Sequence, residues 1–261
     1  MHVCILENDS FDSRTAPHIS RIADLFVNLF RKAGAEHWSF DVFNTVHGEY
    51  PESFEPYAAV VLTGSRADAF SAEPWVVALR ERVDALLARR KKLVGICFGH
   101  QILGYCLGAP VGRAPQGWNM GRMQYRWHEP AYAAAHGSVT FHLLATHQDQ
   151  VLDVPPGARL LASNDTCPVA AFAVDDHVLS LQPHPELDVT ILGNLINMRR
   201  EKLGEEKFAA GLESIRHAHE GVAIARLMAA FIARGSPGGP QRPDQAASAP
   251  DSSSTTRSEK Q

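Results

Sequence analysis

A cysteine between two glycines stands where an apolar run gives way to a stretch of helical character. Residues 92–96 form the apolar run, and residues 95–101 read GICFGHQ. The small residues Gly95 and Gly99 let the chain turn sharply from strand to helix, so that Cys97 can adopt a strained backbone conformation with its sulfur pointing out of the sheet. The N-terminus of the following helix would favour a thiolate. This pattern is typical of a nucleophile, although most free cysteines are buried structural residues.

A histidine and a glutamate follow a second short apolar run. Residues 179–186 read LSLQPHPE; the run breaks at Pro183, and Glu186 lies two residues beyond His184, within reach of the same imidazole. Together with Cys97 these residues can form a relay. The imidazole would take the thiol proton and later return it to the leaving group, while the carboxylate fixes the tautomer and stabilises the imidazolium. The tripeptide alone is a weak signal, but combined with the cysteine turn it indicates nucleophilic catalysis.

Both segments resemble the motifs of the class I, triad-type glutamine amidotransferases. The G-x-C-x-G-x-Q and H-P-E motifs of that family are matched by Gly95, Cys97, Gly99, Gln101, His184, Pro185 and Glu186. The resemblance extends over residues 1–235. It implies a catalytic triad of Cys97, His184 and Glu186 that cleaves the γ-amide of glutamine through a glutamyl thioester. We expect no cofactor and no metal ion to take part.

A third segment resembles the strand that leads to the oxyanion hole of this family. Residues 60–65 read VVLTGS. The resemblance implies that a backbone N–H at the end of this strand, from Gly64 or Ser65, acts together with the N–H of Phe98. Many members carry a second glycine at the position of Ser65, so the sequence leaves open which of the two residues donates.

Three side chains are expected to bind the substrate. Gln101 lies one helical turn after Cys97 and therefore stays near the nucleophile; in the family this glutamine binds the amino-acid end of the substrate. The alternative is a polar residue that caps its own helix. Residues 146–151 read THQDQV and resemble the family segment that closes over the glutamine backbone. That resemblance implies contacts from His147 and Gln148 to the α-carboxylate and amino groups.

Residues 63–75, TGSRADAFSAEPW, are similar to the signature of stand-alone members. These include GMP-synthase-like amidotransferases without a synthetase and the plant γ-glutamyl peptidases. The sequence has neither an S-G-G-x-D-S loop nor a G-x-x-x-x-G-K-[ST] loop, so it cannot activate an acceptor with ATP by either route. We expect a glutaminase-type hydrolase that passes ammonia to water or to a separate ammonia-accepting synthetase. The alternative is a γ-glutamyl peptidase, whose leaving group would lie against residues 66–70 and 113–122.

Two other functions are compatible with a cysteine turn. Chaperone-like, glyoxalase-like and protease-like relatives share the turn, but they generally lack the late His-Pro-Glu motif and have no use for Gln101. A regulatory subunit that is silent without a partner chain is the second alternative. The intact triad counts against a protein that has lost its activity.

The composition is that of an ordinary globular protein, with 45% hydrophobic and 21% charged residues in 261. A formal net charge of -4 does not indicate binding to nucleic acid or to an anionic membrane, both of which attract positively charged surfaces. The four cysteines show no Cys-x-x-Cys spacing, which argues against a zinc ribbon or a disulfide framework. The N-terminus lacks the pattern of a signal peptide, and no apolar run approaches the roughly 20 residues of a membrane span. We expect a cytoplasmic enzyme with a small-molecule substrate.

Strand-like runs alternate with amphipathic segments, which predicts a parallel sheet covered on both faces. The main helices are expected at residues 19–33, 75–90, 98–107, 189–203 and 222–233. Shorter alternating runs between residues 111 and 181 predict an antiparallel extension. We therefore expect an α/β fold: a three-layer αβα sandwich with a mostly parallel, flavodoxin-like central sheet. It should form one domain over residues 1–235, followed by a disordered Ser/Pro-rich tail at 236–261 that has no large apolar side chain.

Two further groups of polar residues have a simple structural interpretation. Glu7 and Asp9 follow the first strand, at the edge where α/β proteins build sites, and could bind a substrate amine. Solvation at the surface is the favoured interpretation. His217, His219 and Glu220 suggest a metal site, but clusters of this kind without a further ligand are usually exposed side chains.

Overall fold

The computed structural model describes residues 1–10, 15, 19 and 21–234. The strands in this part of the chain are β1 (His2–Glu7), β2 (Ser39–Asn44), β3 (Ala59–Leu62), β4 (Leu93–Ile96), β5 (Val111–Arg113), β6 (Asn119–Trp127), β7 (Thr140–His147), β8 (Asp149–Val151), β9 (Arg159–Asn164), β10 (Cys167–Val174) and β11 (Val178–Leu181). The helices are α1 (Ile22–Lys32), α2 (Pro74–Ala88), α3 (Phe98–Cys106), α4 (Pro130–His136), α5 (Val189–Met198), α6 (Arg200–Ser214) and α7 (Gly221–Ala233). The predicted tail lies outside the described residues.

Nine of these strands form one mixed sheet in the order β2-β1-β3-β4-β11-β10-β9-β6-β7. The first five strands in that order pair in parallel, and the remaining four are joined by antiparallel pairing. Strands β5 and β8 pair with each other in a separate antiparallel ribbon. The predicted α/β fold, a parallel flavodoxin-like sheet with an antiparallel extension, is confirmed.

Helices cover both faces of the sheet because successive side chains of a strand point to opposite sides. In β1, Val3 and Ile5 pack in a buried cluster with Phe26 of α1 and Met228 of α7. The alternate residues of β1 belong to a second buried cluster, together with the apolar faces of α2 and α3. This is the expected three-layer arrangement.

The first helix is anchored to the sheet by Glu7. Its carboxylate accepts a 2.9 Å hydrogen bond from the N–H of Ala23 in the first turn of α1, and Arg21 lies 3.6 Å away. Glu7 is only 4% exposed. The interpretation of Glu7 as a solvated surface residue is therefore wrong. A carboxylate is stabilised at this position because the free N–H groups of the helix start carry partial positive charge.

The parallel strands end at a common edge. Leu6, Leu62, Gly95 and Ser180 are aligned across β1, β3, β4 and β11 by the register of the sheet. The segments that leave these strands at their carboxyl ends must therefore converge, as is usual where open α/β sheets form sites. Cys97 follows β4 directly, and the His-Pro-Glu motif follows β11.

The helices depart from prediction in two places. The helix predicted over residues 189–203 is interrupted at Arg199, and α6 continues to Ser214 with a second break at Gly204, where φ is 74° and ψ is 161°. The short helix α4 was not predicted because its seven residues, PAYAAAH, are too few and too uniform to show an apolar stripe. Among the described helices, none has the length and apolar character that crossing a bilayer requires.

Two glycines allow α3 to lie against the sheet. A Cβ atom on Gly99 would lie 2.4 Å from the carbonyl oxygen of Leu62, and one on Gly95 would lie 2.6 Å from the carbonyl oxygen of Gly99. Neither position has room for a side chain. The turn that presents Cys97 therefore depends on both glycines.

We predict that Gly99→Ala lowers the free energy of unfolding by about 1–3 kcal/mol, since the new methyl group would force the helix away from the Leu62 backbone. Urea denaturation measures this change. Gly193→Ala in α5 is a matched control: its Cβ would lie an ordinary 3.5 Å from Ile215, and helix propensity favours alanine by about 0.5–1 kcal/mol. Equal stability of Gly99→Ala and the unmodified chain would contradict this account.

Candidate active site

Cys97 lies in the turn between β4 and α3 with φ 54° and ψ -102°. A positive φ is a strained conformation for a residue other than glycine, and such strain is frequent at functional sites. Two backbone hydrogen bonds hold the turn: the N–H of Cys97 donates to the carbonyl of Leu181 at 2.9 Å, and its own carbonyl accepts from Gln101 at 3.0 Å. The structure therefore places Cys97 in the strained turn that the sequence predicts.

His184 and Glu186 form a buried pair beside Cys97. Nδ1 of His184 lies 2.7 Å from Oε1 of Glu186, and the N–H of His184 donates to the carbonyl of Leu144 at 2.8 Å. A Cβ atom placed on Gly64 would lie 3.2 Å from Cε1 of His184 and 3.7 Å from Cβ of Cys97, which shows how closely the three residues approach. The structure thus brings the predicted triad together.

The protonation of His184 follows from its neighbours. A carboxylate only accepts hydrogen bonds, so Nδ1 carries a proton and Nε2 is the atom available to the thiol. Within the described structure, Nε2 makes no hydrogen bond of regular geometry. Burial lowers the pKa of His184, but the charges of Glu186 and Cys97 raise it more, to about 10. These charges therefore favour the imidazolium at neutral pH.

The predicted oxyanion donors follow two neighbouring strands, β3 and β4, beside Cys97. Gly64 and Ser65 line the cavity above Cys97, and Phe98 is the first residue of α3, so its N–H has no partner within the helix. The Thr63 hydroxyl donates to the Gly64 carbonyl at 3.1 Å, which fixes the peptide that joins Gly64 to Ser65. Because that peptide is planar and trans, the N–H of Ser65 points away from the Thr63 hydroxyl.

Gln101 lines the cavity, but its amide is also used within the protein. Nε2 donates to the carbonyl of Asp149 at 2.8 Å and lies 3.2 Å from Oε1 of Gln182. These partners lie on β8 and after β11, so the alternative that Gln101 caps its own helix is wrong. The side chain is held in place, and its Oε1 atom is left for a ligand.

His147 is buried and neutral. Its Nδ1 lies 3.2 Å from the carbonyl oxygen of Asp149, an acceptor, so Nδ1 is the protonated nitrogen. Burial and, to a smaller extent, the charge of His184 lower the pKa of His147 to about 3. Its Nε2 atom is an acceptor that has no partner among the described residues. The neighbouring Gln148 accepts a 2.7 Å hydrogen bond from Arg113.

One cavity of about 480 Å³ contains these side chains. The predicted site residues that line it are Gly64, Ser65, Cys97, Gln101, His147, Gln148, His184 and Glu186. Phe98 does not line the cavity, since its side chain is buried beside Trp75; only its backbone faces the turn. From the two segments expected near the leaving group, Arg66, Ala67, Asp68, Arg113 and Trp118 also line the cavity.

The sequence predicts no role for two cations of this cavity, Arg199 and Lys202, and it favours solvation for Asp9. Asp9 accepts hydrogen bonds from the backbone and guanidinium of Arg66 at 2.7–2.9 Å, so it orients a cavity cation and is not merely solvated. Arg199 and Lys202 enter from the junction of α5 and α6. The sequence pattern around Arg199 is that of a continuous helix. It therefore does not indicate the break between α5 and α6, or that Arg199 lines a cavity formed with other elements.

The histidine-rich segment at residues 217–220 does not reach this cavity. Glu220 instead lies 3.3 Å from both His136 and His142, and its carboxylate accepts a hydrogen bond from the backbone N–H of His142. Within the described part of the chain, no group of three or more His, Cys, Asp or Glu side chains is arranged to hold a metal ion. The contacts of Glu220 give this segment a structural role.

Comparisons with known proteins agree with the motifs. The family model "Glutamine amidotransferase class-I" matches residues 26–198. Gamma-glutamyl peptidase 3 of Arabidopsis thaliana is 35% identical over 195 residues, which cover 71% of this chain and 77% of that protein. Gamma-glutamyl peptidase 5 of the same plant is 36% identical over 194 residues, with 71% and 76% coverage.

The fold is shared with solved structures as well. A glutamine amidotransferase from Thermotoga maritima superimposes with a TM-score of 0.72 at 20% identity, over 90% of this chain and 99% of that one. At that level of identity the structural similarity shows only a shared fold. The family model and the two plant relatives show the family to which the chain belongs. The family that the cysteine turn and the His-Pro-Glu motif suggest is confirmed: this chain belongs to the class I glutamine amidotransferases.

Proposed function

We propose that this protein is a cysteine hydrolase that cleaves the γ-amide bond of γ-glutamyl compounds, including glutamine. The observation that carries the proposal is the strained turn of Cys97 beside the buried His184–Glu186 pair, at the edge of one cavity. A nucleophile, a base and a residue that orients the base are the parts that covalent acyl transfer needs. Membership of the amidotransferase family supports a hydrolase.

The chemistry runs in two halves. His184 takes the thiol proton, and the resulting thiolate of Cys97 attacks the γ-carbonyl carbon. The tetrahedral intermediate collapses to a glutamyl thioester as the imidazolium gives that proton to the departing amine, whose C–N bond breaks. A water molecule then attacks the thioester while His184 accepts its proton. Glutamate leaves, and Cys97 and His184 return to their starting state. Glu186 holds the imidazole in the required tautomer throughout.

The backbone N–H groups of Ser65 and Phe98 are the proposed oxyanion donors. The peptide before Ser65 is fixed by Thr63, and the N–H of Phe98 is free at the start of α3. In a site closed to water, each donor of this kind stabilises the transition state by about 3–4 kcal/mol. This assignment favours Ser65 over Gly64, between which the sequence did not decide.

The amino-acid end of the substrate is proposed to lie against Gln101, His147 and Gln148. Neutral His147 offers an acceptor at Nε2, and Gln101 offers Oε1; both suit an α-ammonium group, which only donates. The side-chain NH2 group of Gln148 is not engaged by Arg113, because Arg113 donates its hydrogen bond to Oε1 of Gln148. These N–H groups suit the α-carboxylate.

Two substrate classes remain, and the cavity favours the larger. The cavity volume of about 480 Å³ falls in the range of about 300–1,000 Å³ of sites for drug-sized ligands, and so leaves room for a leaving group larger than ammonia. The plant relatives are named γ-glutamyl peptidases. Hydrolysis of glutamine, with ammonia passed to water or a separate synthetase, is the second candidate, supported by the amidotransferase motifs. The separate ammonia-accepting synthetase and the cytoplasmic location of the protein stay predictions.

Covalent labelling tests the nucleophile. We expect the glutamine analogue 6-diazo-5-oxonorleucine to modify Cys97, which peptide mass mapping would locate. Cys97→Ala should abolish turnover, whereas Cys106→Ala, which alters a partly buried thiol outside the cavity, should leave it unchanged. Labelling at Cys106, or full activity of Cys97→Ala, would refute the mechanism.

The pH dependence tests the role of Glu186. Its charge raises the pKa of His184, so Glu186→Gln should lower that pKa. The imidazolium donates a proton to the leaving amine, so kcat/KM falls as the pH rises through this pKa. We therefore expect the alkaline limb of the profile to move to lower pH, with a loss of about 10²–10⁴-fold in kcat. Glu205→Gln, on the exposed face of α6, is the control. An unmoved alkaline limb in Glu186→Gln would exclude the proposed pairing.

The relative rates of three substrates separate the two substrate classes. We expect kcat/KM for glutathione or a γ-glutamyl amine to exceed that for glutamine by about tenfold or more, because discrimination is the ratio of these values. Side-by-side measurement of glutamate release would give the ratios. A clear preference for glutamine would instead support the amidotransferase function with a separate ammonia acceptor.

A further inference from the structure

An arginine at the break between α5 and α6 is fixed against the wall of the cavity. Arg199 lies between Met198 and Arg200, at the end of one helix and the start of the next. Its Nη1 donates to the hydroxyl of Thr146, and its guanidinium carbon lies 4.9 Å from the centre of the Trp118 ring. All three side chains line the same cavity as Cys97. The guanidinium is therefore positioned before any ligand arrives.

The charges around the cavity leave this arginine without an anion. Three of the carboxylates that line the cavity face a cationic partner at 2.7–3.1 Å: Asp9 with Arg66, Asp149 with Arg113 and Glu186 with His184. The fourth carboxylate, Asp68, lies beside Asp149; burial and this neighbouring acid raise the pKa of Asp149 to about 6, and a hydrogen bond between the two requires that one of them is protonated. In the described part of the chain, no carboxylate pairs with Arg199 or with Lys202, which lies three residues further along α6.

Burial makes this arrangement unfavourable unless an anion binds. Arg199 is partly withdrawn from solvent, and this burial lowers the pKa of its guanidinium from the ordinary value, with Cys97 opposing the change. An arginine stays charged in proteins, so the group remains an unneutralised cation in a cavity. Such a cation is stabilised by a hydrogen-bonded anion. A ligand that brings one would gain affinity.

The position of Arg199 places that anion away from the glutamyl end of the substrate. Thr146 and His147 are successive residues of β7, so their side chains point to opposite sides of the strand. Arg199 contacts Thr146, whereas His147 and Gln101 both hydrogen-bond to the carbonyl oxygen of Asp149. Arg199 also lies near Trp118 and within electrostatic range of Arg66, both from the segments expected to face the leaving group.

We propose that Arg199 binds a carboxylate carried by the leaving group, and so makes the enzyme selective for γ-glutamyl amino acids and peptides over glutamine and γ-glutamyl amines. The planar fork of a guanidinium matches a carboxylate through two parallel N–H···O bonds. Lys202 adds positive charge on the same wall. The inference rests on the proposed hydrolysis of γ-glutamyl bonds, to which it adds the chemical class of the leaving group.

Two substrates that differ only in the terminal group test the inference. γ-Glutamylglycine carries the carboxylate, and γ-glutamylglycinamide replaces it with a neutral amide. The unmodified enzyme should show a kcat/KM about tenfold or more higher for the acid, as expected for a charge-assisted hydrogen bond. In Arg199→Gln the ratio should fall to about one to two, and in Arg199→Lys part of it should persist because the charge remains.

Arg200→Gln is the matched control. This neighbouring arginine is exposed and pairs with Glu205 at 2.8 Å, so the variant should keep the unmodified ratio. Thermal unfolding of each variant reports whether it is folded. An enzyme that cleaves acid and amide equally well overturns the inference. So does an Arg199→Gln variant that loses the same factor on both substrates, since that result indicates a structural role for Arg199.

A binding measurement separates this inference from the proposed function. In a Cys97→Ala background, calorimetric titration with the same two compounds should give a Kd about tenfold or more lower for the acid, and adding Arg199→Gln should remove the difference. If the unmodified chain hydrolyses neither compound, the proposed function fails, and the Kd ratio alone then decides the role of Arg199. Equal Kd values for acid and amide would overturn the carboxylate site whatever the outcome for hydrolysis.

Discussion

The site depends on a hydrogen bond between the backbone N–H of Cys97 and the carbonyl of Leu181, at the end of the neighbouring parallel strand. It holds a non-glycine residue at a positive φ, a conformation that costs of the order of 1–3 kcal/mol and persists only where the surroundings enforce it. The enforcement comes from buried strands on both sides of β4 and from the close approach of α3 to Leu62. The pairing of β11 with β4 also positions His184, which follows Leu181 by three residues.

Two buried histidines near this turn are held in opposite protonation states by their acceptors. Nδ1 of His184 faces the Glu186 carboxylate, whose negative charge stabilises an imidazolium. Nδ1 of His147 faces the neutral carbonyl of Asp149, which carries no charge that could stabilise an imidazolium. Burial disfavours the charged form of both, and only His184 has charges that overcome it. One histidine is thereby suited to proton transfer and the other to accepting a hydrogen bond. Their similar burial alone would not distinguish these roles.

The cavity joins two kinds of structure. Its reactive side is built on the carboxyl ends of parallel strands, whose positions are fixed by the core of the sheet. The opposite wall comes from the loop around Trp118 and the broken helix at Arg199, which pack on each other through a small separate cluster. In folds that host many activities, specificity resides in grafted elements of this kind. In the proposed function, this arrangement places the reacting bond on the first side and the recognition of the leaving group on the second.

The sequence by itself predicted the alternation of strands and helices, the cysteine turn and the three residues that we propose as the triad. The elements and the cysteine turn depend on local patterns, namely apolar periodicity and glycines beside a cysteine. The pairing of Cys97 with the distant His184 and Glu186 was predicted from the family resemblance of the two motifs. The role of Glu7 as a helix anchor, the pairing of Asp9 with Arg66 and the placing of Arg199 against Trp118 were decided only by the tertiary structure. Each of them joins residues 16 or more positions apart, and no local pattern specifies which distant elements will meet. The short helix α4 was not predicted for a different reason: its seven residues, mostly alanine, are too few to show an apolar period.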